Sequence, residues 1–120
     1  MAYATTYSWI FYAIALCSGK SPAKIKEIEQ VADGINHAIP TAKEIFASVK
    51  WLIEMGLIEK VGKGFCLSEN GRGLFEITTS KPGGLLTQWK RLSKKFIKLG
   101  ADGQTQVDCR TMLPNSNQNV

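Results

Sequence analysis

The side chains able to do chemistry in this chain are few and scattered. His37 is the only histidine. It stands in a turn-like stretch before Pro40, a place for packing or helix capping rather than for a general base. Cys17, Cys66 and Cys109 are odd in number and far apart, with no Cys-x-x-Cys, no histidine pair and no acidic cluster beside them. Neither a disulfide framework nor a metal site is expected, and a reducing, cytoplasmic setting suits the unpaired thiols. Cys17 and Cys66 fall in apolar runs, where a thiol packs as a small hydrophobe. Gly62-Lys-Gly64 and Pro82-Gly-Gly84 are too short to cradle a phosphate with backbone N–H groups. No catalytic, cofactor or metal constellation is expected, so the chain reads as a non-enzyme. What is concentrated is positive charge: Lys90, Arg91, Lys94, Lys95 and Lys98 follow one another with no acid between them. Such a run contacts phosphates or keeps a helix soluble.

The distribution of charge narrows the choice. The 120 residues carry a net charge of +5, with 44% hydrophobic and 21% charged side chains, a balance that excludes a disordered acidic tail and favours one globular domain. Acids and bases cancel over residues 1–80, and everything in excess lies from Lys81 onward. Basicity therefore argues for nucleic acid through the C-terminal segment alone. Trp9 to Cys17 is the most apolar run, but it is far shorter than the roughly 20 residues that cross a bilayer. No Lys or Arg precedes it, as a secretory leader would require.

Five helices and one hairpin must position these residues. Tyr7 to Cys17 is apolar almost all round, a helix buried on several sides or shared with a second chain. Ser21-Pro22 reads as an N-cap and first-turn proline, opening a second helix with Ile25, Ile28, Val31, Ala32 and Ile35 at helical spacing. It ends near Gly34 to Asn36. Ile39-Pro40 forces a break, and Thr41-x-x-Glu44 has the form of a capping box. The third helix runs from there to Gly56, with Ile45, Val49, Leu52 and Ile53 inward and Phe46 widening the stripe. Leu57 to Val61 and Gly64 to Leu67 flank Gly62-Lys63, a hairpin signal. Ser68 caps a fourth helix that Gly71 and Gly73 weaken. In the fifth, Leu85, Trp89, Leu92, Phe96 and Leu99 form a coiled-coil-like seam. Residues 101–120 read as a polar, flexible tail, behind a domain over 1–80 and a basic amphipathic helix over 81–100.

The order of elements and three local sequences carry a resemblance. Ala32 to Thr41, Leu52-Ile-Glu-Met-Gly-Leu-Ile58 and Leu67-Ser-Glu-Asn-Gly71 resemble the winged helix-turn-helix transcription regulators over about Ser21 to Glu76. The resemblance implies a mainly α fold with a small β-hairpin and flanking N- and C-terminal helices. It implies double-stranded DNA as partner, with the capped helix in the major groove and base-facing roles for Thr41, Ala42, Lys43, Ala47, Ser48 and Lys50. Lys60 and Lys63 would serve the wing, and free N–H groups around Ala42 and Lys43 could also hold a phosphate. Lys90, Arg91, Lys94, Lys95 and Lys98 would touch the DNA backbone.

Two alternatives stay open. Glu44 and Glu54 balance Lys43 and Lys50, so the third helix either enters the groove or presents only a solvated face, in a winged module that binds protein rather than DNA. The apolar seam either docks on the chain's own first helix or forms a homodimer through Trp9, Tyr12, Leu85, Trp89, Leu92 and Phe96. The same aromatics, Trp9, Tyr12 and Trp89, would line an effector pocket if one existed between subunits, although buried aromatics are ordinarily core.

Overall fold

A computed structural model describes residues 3–101. Among these residues the chain forms, in order, α1 (Tyr3–Cys17), α2 (Ile25–Asn36), α3 (Ala42–Glu54), β1 (Ile58–Val61), β2 (Gly64–Leu67), α4 (Glu69–Thr79) and α5 (Leu85–Lys98). The fold is mainly helical with a small antiparallel sheet, in which Ile58 faces Leu67 and Val61 faces Gly64. Gly62 makes the tight reversal between the strands at φ 61°, a left-handed value that glycine adopts without strain.

The middle of α1 is apolar on every side because it is covered on every side. Ser8 to Ile14 are all buried, and α2, α3, α5 and β2 pack around them. Polar atoms inside this core are paired, as burial demands. The Trp9 indole N–H donates to the Ala32 carbonyl of α2 at 2.8 Å, and the Tyr12 hydroxyl donates to Gln88 Oε1 of α5 at 2.5 Å. The Trp89 indole donates to the Thr5 carbonyl at 2.9 Å, and the Ser8 and Ser93 hydroxyls pair at 2.7 Å. Phe11 meets Phe96 edge-on at 5.5 Å. Three contacts between α1 and α5 are thus directional, which fixes how the two helices meet.

This docking corrects the expected dimer seam. Trp9, Tyr12, Leu92 and Phe96 are buried within one chain, so they offer no surface to a second copy, and Trp9 and Tyr12 line no effector pocket. Leu85 and Leu99, the ends of the seam, are exposed, and Trp89 is half-buried. Docking within the chain avoids the loss of translational and rotational freedom that a dimer incurs. α5 therefore belongs to the same core as α1.

Two local readings also change. The second helix does not open at Ser21-Pro22. Lys24 is its N-cap, with its N–H donating to the Glu27 carboxylate at 2.9 Å. Ala23 instead exchanges two backbone hydrogen bonds with Phe65, at 2.7 and 2.9 Å, and so adds a one-residue bridge to the edge of β2. Gly71 does not weaken α4 without return: a Cβ there would lie 2.0 Å from the Leu57 carbonyl oxygen, so glycine is what lets α4 press against the turn after α3. Ser68 caps α4 as expected, accepting the Gly71 N–H at 3.0 Å. The expectation for the tail lies outside the described residues from position 102 onward, while Ala101 is buried against the core.

Candidate nucleic-acid interface

The capping box fixes the start of α3. Thr41 Oγ1 accepts the Glu44 N–H at 3.1 Å, and the Glu44 carboxylate accepts the Thr41 N–H at 2.8 Å. Ile45, Ser48, Val49 and Leu52 then form the inward stripe. Their spacing of three, one and three residues leaves positions 43, 46, 47, 50, 53 and 54 on the outer side. Thr41, Ala42, Lys43, Ala47 and Lys50 are exposed, as the base-facing assignment requires.

Ser48 is a correction. It is fully buried, its hydroxyl donating to the Glu44 carbonyl at 2.7 Å, so it reads no base. Its place between Ile45 and Leu52 puts it inward, where a small hydroxyl satisfied by the preceding turn is tolerated. Phe46 and Ile53 move the other way. Expected as core, they are 65% and 42% exposed and share the outer face with Lys43 and Lys50. The signal was in the spacing: Ile45, Val49 and Leu52 already complete a stripe, and Phe46 lies about 100° away from Ile45.

α3 packs along β1, beside the hairpin. Lys60 and Lys63 are exposed there, Lys63 at the tip next to Gly62. The cationic set on α3 and the hairpin is therefore Lys43, Lys50, Lys60 and Lys63. Glu54 and Glu59 are exposed on the same two elements, and Glu44 is engaged in the cap.

On α5, Lys90, Lys94, Lys95 and Lys98 are exposed. Arg91 is a correction. It is half-buried, and its guanidinium donates to the carbonyls of Lys81 at 3.1 Å, Thr78 at 3.4 Å and Pro82. Those bonds close the turn between α4 and α5, so Arg91 is committed to the fold rather than to a DNA backbone. Lys81, absent from the sequence reading of the site, joins Lys94, Lys95 and Lys98 around a cleft beside this turn.

Other chemistry stays dispersed. His37 caps α2 in a left-handed conformation, φ 55°, with its N–H on the Asp33 carbonyl at 2.7 Å. Burial, with the Glu27 charge behind it, pushes the Cys17 thiol up to about 11, against a smaller opposing pull from a backbone hydrogen bond. Among the described residues no His, Cys, Asp or Glu cluster is placed to hold a metal ion. No helix among them is long and apolar enough to cross a membrane. Compared with protein-family models, with curated proteins and with solved structures, the chain finds no match in any of the three.

Proposed function

We propose that this chain binds double-stranded DNA as a winged helix-turn-helix transcription regulator, reading sequence with α3 and holding phosphates with the hairpin. The observation that carries the reading is the outer face of α3. Thr41, Ala42, Lys43, Ala47 and Lys50 are exposed on a helix anchored by a capping box and a buried stripe, with the Lys63 hairpin alongside. The Ala23 bridge to Phe65 and the return through Ser68 into α4 support that reading. Phe46 suits this role too, because an exposed ring at mid-helix can meet a thymine methyl in the major groove.

The test is affinity for duplex DNA as a function of salt. If Lys60 and Lys63 neutralise phosphates, the log–log slope is about −2, and Lys63→Gln lowers its magnitude by about 1 for every sequence alike. Lys43→Gln or Lys50→Gln changes the ranking among sequences instead. No binding at about 50 mM salt, where electrostatic attraction is strong, ends the proposal.

A second reading has its own support. Phe46 and Ile53 make the outer face of α3 partly apolar, and residues 1–80 carry no net charge, as suits a module that docks on protein. Absence of duplex binding, with loss of a protein partner on Phe46→Ala, would select it.

A further inference from the structure

We propose that the cleft between the end of α4 and the outer side of α5 is a site for a compact oligophosphate, held by Lys81, Lys94, Lys95 and Lys98 with Arg91 positioning the turn that forms it. The cleft has a volume of about 200 Å³, below the roughly 300–1,000 Å³ of sites for drug-sized ligands, so its occupant is small. No carboxylate lines it. α5 has no acid anywhere along its length, and Glu76 of α4 lines a different pocket together with Arg72. The Arg91 guanidinium bonds only to neutral carbonyls, so its charge adds to that of the lysines.

The fold accounts for only part of this concentration of cations, with Arg91 tied to the turn. Leu92 and Phe96 hold α5 to the core. Lys95 and Lys98 complement the negative end of the helix dipole, which accounts for two of the charges. Lys94 and Lys81 have no such reason. Lys94 with Lys98, and Arg91 with Lys95, are like charges one turn apart, an arrangement that weakens a helix. A multiply charged anion in the cleft removes that repulsion, and linked phosphates match several ammonium groups within a small volume. A duplex backbone offers the same phosphate chemistry, but a concave site fed by two elements fits a compact ion better than the rim of a rod. This inference stands apart from the reading of α3.

The experiment titrates the full chain with tripolyphosphate by calorimetry at low salt, with sulfate at matched ionic strength as comparison. One tripolyphosphate binds per chain, and Lys81→Gln, Lys95→Gln and Lys98→Gln each weaken it several-fold; together they abolish it. Lys90→Gln removes the same charge from outside the cleft and, acting only at a distance, weakens binding less than any of these three. These lysines are exposed, so the variants fold, which circular dichroism verifies. Absence of binding at millimolar tripolyphosphate, equal binding of sulfate, or equal weakening by Lys90→Gln would overturn the proposal. So would loss of duplex affinity matching the loss of tripolyphosphate, which would make the cleft part of a DNA surface. Lys43→Gln and Lys50→Gln leave tripolyphosphate binding intact, so failure of the α3 reading is told apart from failure here.

Discussion

Single side chains in this molecule are set by the backbone atoms within their reach. Arg91 serves three carbonyls at once, which a lysine's single ammonium on a flexible stem does less well. Cys17, at the end of α1, is set instead by what is missing around it. Half-buried and near the Glu27 carboxylate, its thiol resists ionisation, and its pKa rises from 9.0 to about 11. The sign of the consequence follows from proton uptake. Well below pH 9.0 the thiol is neutral in the folded and unfolded chain alike and has no effect on their balance. Between there and about 11 the unfolded thiol loses its proton first, so the folded form binds more protons and loses stability as pH rises. Urea midpoints measured across that window therefore decline more steeply in the natural chain than in Cys17→Ala. The same window governs alkylation, which stays slow at neutral pH and accelerates toward the upper limit. Parallel pH profiles for the two proteins would show that this thiol does not titrate as described.

At the scale of elements, α3 joins a capped start to an outer face that must stay rigid to recognise anything. Thr41→Ala removes the side-chain acceptor for the Glu44 N–H and should cost about 1 kcal/mol in a denaturant titration, while Thr41→Ser, which keeps the oxygen, costs much less. A loss of only a tenth of that for Thr41→Ala would mean that packing alone holds the first turn. This element was legible in the sequence because its signals are local: a capping box, an apolar stripe, a closing glycine. The hairpin and the Ser68 cap were legible for the same reason. The segment around Pro22 was not, because its local cap signal yields to a pairing more than forty residues away, between Ala23 and Phe65. Ser48 and Phe46 exchanged sides for a related reason. Residue type suggested a polar outside and an aromatic inside, but the helical register set by Ile45 and Leu52 decides which position faces the core. Arg91 and Lys81 were readable as charges, and only the folded turn shows that one is tied to carbonyls and the other opens on a cleft.

For the whole molecule, the decisive step is how the chain covers α1. An all-apolar helix needs neighbours on every side, and the sequence alone leaves open whether they come from the same chain or a second one. The folded chain supplies α5, with Leu92 and Phe96 at 0% exposure and hydrogen bonds joining Gln88, Trp89 and Ser93 to α1. The two origins predict different concentration dependence. A residue in a dimer seam gives a thermal midpoint that rises with protein concentration, because association stabilises by mass action. Leu92, closed within one chain, gives a midpoint that does not. Leu92→Ala should lower stability by about 2–5 kcal/mol through the cavity it leaves, at every protein concentration, with the sedimentation coefficient of the folded fraction unchanged. A midpoint that climbs with concentration in the natural chain, and ceases to climb in Leu92→Ala, would place α5 against a second copy instead. The surfaces of α3 and of the Lys81 cleft would then have to be redrawn on a two-fold assembly.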